Sequence, residues 1–179
     1  ATFEHHFANY MGVKHAVGTN SCGSAMFIAL NIVGVQPGDT VLTNAFTFHA
    51  VPSVIEHARA VPVLVESNRE WAMDAEDLDK KATETGANVL LMSYMRGHVP
   101  DMDAIMKVVE KHDMILIEDC AHAYATLWNG KLLGTFGEIG CFSTQSSKAL
   151  SAGEGGIFIT NDDEYAAKAV LYAGSYERL

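Results

Sequence analysis

Basic residues are scarce in this sequence: twelve Lys and Arg stand against twenty-two Asp and Glu, for a formal charge of −10. Such a surface repels phosphate backbones and anionic lipid, so neither nucleic acid nor a membrane is an expected partner. Cysteine is also sparse. Cys22, Cys120 and Cys141 form no C-x-x-C pair, and an odd number in a chain of 179 residues argues against a disulfide framework and for a reducing cytoplasm. Apolar runs are only strand-sized, and no basic segment leads into an apolar stretch at the start. Neither a spanning helix nor a signal peptide is therefore expected. His49, His57 and His98 match no metal-ligand spacing with the cysteines, so no metal is expected.

What is present is an alternation of helical and strand patterns at short intervals, the habit of a sheet wrapped by helices on both faces. Phe3, Phe7 and Tyr10 recur at helical spacing, and a strand from His15 to Val17 leads through a small-residue turn to a helix over Ser24–Ile32. Strands are expected near Val41, over Val61–Val65, Val89–Met92 and Met114–Ile117, and helices over Thr47–His57, from Asp74 to Gly86 and over Asp101–Lys111. The Met114–Ile117 strand is apolar on both faces, as buried parallel strands are. After it, Gly130, Gly134, Gly137 and Gly140 punctuate short segments before the extended run Ile157–Thr160, a loop-rich and partly antiparallel region. No repeat or linker divides the chain, so residues 1–179 are expected to form one α/β domain, a three-layer αβα sandwich around a mostly parallel sheet.

Glu118-Asp119-Cys120-Ala121-His122 follows the buried strand directly, at the edge where open α/β sheets bind ligands. Asp119 there is either a functional carboxylate or the cap of a following helix. Lys148 ends the run Ser143-Thr144-Gln145-Ser146-Ser147 and precedes Gly153-Glu154-Gly155-Gly156. A lysine in such a loop is usually solvated. Small neighbours also let it approach a ligand closely, as amine nucleophiles require. Ser21-Cys22-Gly23-Ser24-Ala25 is either a plain N-cap or a phosphate site built on helix amides and the Ser24 hydroxyl. Phe48 follows a strand end and is either core or a ring free to stack on a planar cofactor. A dehydrogenase-like nucleotide loop fails, because the G-x-G-x-x-G pattern is missing from that turn.

Together these blocks resemble the DegT-type sugar aminotransferases, fold-type-I enzymes that depend on pyridoxal 5'-phosphate. The likeness is carried, in order, by Phe3-Glu4 through Phe7-Ala8, the Ser21–Ala25 turn, Pro37-Gly38-Asp39, Thr47-Phe48, Gly97 with Asp101-Met102, Glu118–His122, Phe142-Ser143 with Lys148, and Gly153–Gly156. The resemblance implies that Lys148 is the Schiff-base lysine and that Asp119 holds the pyridine nitrogen protonated. It further implies that His122 lies beside the cofactor ring, that Gly23, Ser24 and Ser143 cradle the phosphate, and that Phe48 stacks on the ring. It implies amino transfer from glutamate or glutamine to a keto sugar or keto-cyclitol, in a homodimer. Relatives with His in place of the lysine are sugar dehydratases, and Lys148 points away from that branch.

Arg96-Gly97-His98 and Ser143-Thr144-Gln145 depart from the commonest family versions and look closer to a branch related to aminocyclitol aminotransferases. Complete members are also longer, with a small carboxyl-terminal domain that Leu179 precedes. Two readings follow from the resemblance: the large domain of an aminotransferase, and a truncated chain that keeps the fold without turnover.

Overall fold

The computed structural model describes residues 2–174; the expected single unit extends beyond these at Ala1 and at residues 175–179. Seven strands form one sheet in the order β1-β9-β8-β5-β4-β2-β3. They are β1 (His15–Thr19), β2 (Thr40–Asn44), β3 (Val61–Val65), β4 (Val89–Ser93), β5 (Ile115–Asp119), β8 (Ile139–Ser143) and β9 (Gly156–Thr160). Between β5 and β8 a small hairpin joins β6 (Leu127–Trp128) to β7 (Lys131–Leu132). Neighbours from β3 across to β8 run parallel, whereas β9 runs antiparallel to both β8 and β1. The carboxyl ends of β1, β2, β4, β5 and β8 therefore share one edge.

Six helices cover the two faces: α1 (Thr2–Met11), α2 (Cys22–Ile32), α3 (Ala50–His57), α4 (Ala75–Thr85), α5 (Met102–Lys111) and α6 (Asp163–Tyr172). Alternation along each strand supplies two cores. Leu42, Leu90, Leu116 and Ile157 pack with residues of α1, α4 and α5, while Val41, Leu91, Ile117 and Phe158 pack with residues of α2, α3 and α6. This is the expected three-layer α/β architecture. None of the described helices is long and apolar enough to cross a membrane.

Two helices start away from their expected positions, and both shifts matter for the edge. Ser21 caps α2, its Oγ accepting from the Ser24 amide at 3.0 Å, so the helix begins at Cys22 and Ser24 lies in its first turn. The α3 helix begins at Ala50, which leaves Phe48 in the preceding loop. The glycines after Lys148 also act differently from the sequence expectation. A Cβ on Gly156 would lie 2.3 Å from the Ser21 carbonyl and 2.5 Å from the Cys22 amide nitrogen. Gly156 is thus required where β9 meets the start of α2.

On β5 the same alternation separates the two acidic residues. Glu118 points toward the α4–α5 core, where its carboxylate accepts from Tyr94 Oη at 2.6 Å and from the amides of Gly134, Phe136 and Gly137 at 2.7, 2.7 and 2.8 Å. Burial pushes its pKa up from the ordinary value, and these four donors offset only part of that rise. Glu118 thereby ties the loop before β8 to the centre of the sheet. Glu118→Ala strands a buried hydroxyl and three amides, and the expected loss of stability is about 3–5 kcal/mol. Urea unfolding measures it, and a loss under about 1 kcal/mol contradicts this role.

Candidate active site

Asp119 ends β5 and faces α2, only 4% exposed. Its Oδ2 accepts from Ser93 Oγ at 2.7 Å, and its Oδ1 accepts from the Ala121 amide at 3.0 Å and from Cys22 Sγ at 3.5 Å. Ser93 is its register partner on parallel β4, and the Ser93 amide donates in turn to Asn44 Oδ1 at 2.7 Å on β2. Three adjacent strand ends thus fix the carboxylate, which is no helix cap. Burial and the neighbouring Asp119 charge push the Cys22 thiol pKa well up, so Cys22 serves as a neutral donor.

Lys148 lies in the connection 144–155 between the antiparallel strands β8 and β9. Backbone bonds narrow the base of that connection: the Thr144 amide donates to the Gly155 carbonyl at 3.0 Å and the Ser146 amide to the Gly153 carbonyl at 2.8 Å. From this loop the Lys148 ammonium donates to His122 Nε2 at 2.8 Å. That contact requires a neutral ring with its proton on Nδ1. Burial first, then the Lys148 charge, lowers the His122 pKa below the ordinary 6.5; Asp119 opposes them with a smaller pull, and Arg96 adds the least, in the lowering direction. Lys148 also bears on the Cys22 thiol, alongside Asp119. Asp119, His122, Lys148 and Cys22 are therefore one electrostatic neighbourhood, assembled from segments far apart in sequence.

The remaining candidates lie along the same carboxyl edge. Gly23 and Ser24 stand in the first turn of α2, where the Gly23 amide and the helix dipole favour an anion, while the Ser24 amide is taken by Ser21 Oγ. A Cβ on Gly23 would touch only Ser21 Oγ, at an ordinary 3.6 Å, so the chain's own packing leaves space over this turn. Ser143 ends β8, and its Oγ accepts from the Gln145 amide at 3.3 Å. Phe48 is 50% exposed with its ring 4.1 Å from that of His49, so it is not a core residue. A cavity of about 330 Å³ beside Thr19, Asn20 and Phe27 touches this set only through Ser24. No group of three or more metal-ligating side chains gathers among the described residues.

The donor set fits pyridoxal phosphate. A helix N-terminus with space above it and two serine hydroxyls suit a phosphate, the anchored carboxylate suits a ring N–H, and an amine without a carboxylate partner suits an aldehyde carbon. The model of the DegT/DnrJ/EryC1/StrS aminotransferase family matches residues 1–175. The chain belongs to that family.

Relatives within the DegT/DnrJ/EryC1/StrS family include GDP-perosamine synthase of Caulobacter vibrioides, 36% identical over 96% of this chain and 46% of that protein. A putative L-glutamine:3-amino-2,3-dideoxy-scyllo-inosose aminotransferase of Streptoalloteichus tenebrarius is 33% identical over 98% of this chain and 42% of its own length. Among solved structures, the PLP form of the putative sugar aminotransferase Spr1654 from Streptococcus pneumoniae matches with a TM-score of 0.86 at 27% identity, covering 96% of this chain and 47% of that one. The chain spans under half the length of each of these three.

Proposed function

We propose that this chain is the pyridoxal-phosphate-binding large domain of an aminotransferase that carries an amino group from glutamate or glutamine to a keto sugar or keto-cyclitol. The observation that carries the reading is the convergence of Lys148, His122 and Asp119 on one sheet edge, in a chain of an aminotransferase family. Pyridoxal phosphate, when bound, supplies a conjugated ring that accepts the electron pair left by a departing proton.

Each residue then has a task that its surroundings suit. Asp119, oriented by Ser93, Ala121 and Cys22, holds a proton at the ring nitrogen. Lys148 would supply the amine that bonds the cofactor's aldehyde carbon with loss of water, and the same amine would carry the substrate's α proton. His122, neutral because its pKa is lowered, would orient that amine through Nε2 and offers the ring nitrogen that can take the ammonium's proton. The Gly23 amide at the start of α2, with the Ser24 and Ser143 hydroxyls, would receive the phosphate, and Phe48 would cover a face of the ring.

Titration of the protein with pyridoxal phosphate tests the reading. A new absorbance band is expected, and adding L-glutamate or L-glutamine should change it and release the matching 2-oxo acid; absence of any band would reject the function. Nucleotide-linked keto sugars and keto-inositols then distinguish the two acceptor classes that the relatives' names represent. The reading extends to a homodimer in a reducing cytoplasm, in keeping with three free, buried thiols. Sedimentation should give twice the chain mass, and monomer alone at high concentration would contradict the dimer.

A further inference from the structure

Arg96 follows β4 at the same carboxyl edge, in the turn Met95–Gly97. The turn rests on the site, since a Cβ on Gly97 would lie 3.6 Å from the His122 carbonyl oxygen. Arg96 holds φ at +53°, in the left-handed region that a side chain with a Cβ rarely occupies. Strain of this kind persists where the surrounding structure enforces it, and it clusters at ligand sites. Among the described residues no carboxylate pairs with the exposed Arg96 guanidinium, although the chain has twenty-two acidic side chains. The Lys148 ammonium likewise has His122, not an acid, as its side-chain partner. Two cationic side chains without a carboxylate bonded to them among the described residues thus act on His122 at this rim of a strongly acidic protein.

We propose that Arg96 is the specificity residue that seats the carboxylate of the amino donor beside Lys148, an inference that rests on the aminotransferase function given above. In an amino acid the carboxylate is bonded to the carbon that carries the reacting amine, so its receptor must stand next to the reacting lysine. Arg96 meets that demand, because its turn lies against the His122 backbone, its charge acts on the His122 ring, and that ring contacts Lys148. The phosphates of a nucleotide-linked sugar are separated from the reacting carbon by bonds of the sugar ring and require a more distant receptor. The planar guanidinium fork matches a carboxylate bidentately, which a lysine in the same place does not.

The test uses the protein loaded with pyridoxal phosphate and titrates maleate, a dicarboxylate that cannot react, and separately GDP, following each by calorimetry. Arg96→Gln should weaken maleate about tenfold or more, as loss of a charge-assisted pair does, while leaving GDP affinity and the cofactor band unchanged. Arg96→Lys should restore part of the affinity. Arg96→Gly, which relieves the backbone conformation, should lose maleate to the same degree with no fall in melting temperature, so a folding defect is not the cause. Unchanged maleate affinity in Arg96→Gln, or a selective loss of GDP affinity, would overturn the proposal. A wild-type protein with no cofactor band overturns the aminotransferase reading itself, and this inference with it.

Discussion

Alanine at position 148 should abolish the lysine-dependent absorbance of the cofactor-loaded protein and lower turnover by about 10²–10⁴-fold through loss of the proton carrier alone. The fold should survive, because Lys148 is only partly buried and its side chain has one hydrogen-bond partner, His122. Thermal stability is expected within about 0.5 kcal/mol of wild type. A second readout follows from the electrostatics. The lowered His122 pKa means that any stability the ring contributes is present above 6.5 and is lost as pH falls through the lower, folded-state value. Below that pH the protonated ring can no longer accept from Lys148 at Nε2, and two cations face each other. NMR titration should place the wild-type His122 midpoint below 6.5, and Lys148→Ala should raise it, since one lowering influence has gone. A wild-type midpoint at or above that value, or no movement in the variant, contradicts the contact.

Asp119→Asn is expected to separate charge from shape. The amide fills the same volume, its oxygen can keep the Ala121 and Cys22 donors, and the Ser93 hydroxyl can turn to accept from its nitrogen. Stability should therefore change by no more than about 1 kcal/mol. What disappears is the negative charge that holds a proton at the ring nitrogen, and with it an electrostatic contribution that should cost about 10²–10³-fold in turnover. Cofactor binding should be weakened far less than turnover. Activity within tenfold of wild type would mean that Asp119 is a structural group.

Much of this arrangement was legible because the sheet is built from local signals. Strand ends, capping Asp74 and Asp101, and the apolar β5 run all carry their periodicity in the residues themselves. Asp119 and Lys148 could be selected from sequence as a carboxylate after a buried strand and an amine among small residues. Their shared neighbourhood could not, since it depends on β5 and β8 being parallel neighbours in register, Asp119 opposite Cys141. Ser93 and Cys22 were invisible for the same reason: a hydroxyl and a thiol acquire a role only when strand order puts them against Asp119. Glu118 shows the converse. One residue from Asp119, it looked equally chemical, yet strand alternation sends it to the opposite core to bind a loop. Phe48 and Gly156 depended on close approaches and helix boundaries that periodicity does not resolve.

The Lys148 amine, held by His122 on the same sheet edge as the anchored carboxylate of Asp119, is the group that bonds the cofactor. Borohydride treatment of the protein saturated with pyridoxal phosphate, followed by peptide mass mapping, reads this directly. A phosphopyridoxyl adduct is expected on the peptide containing Lys148 and on no other; an adduct confined to another lysine, or none at saturation, would contradict the assignment.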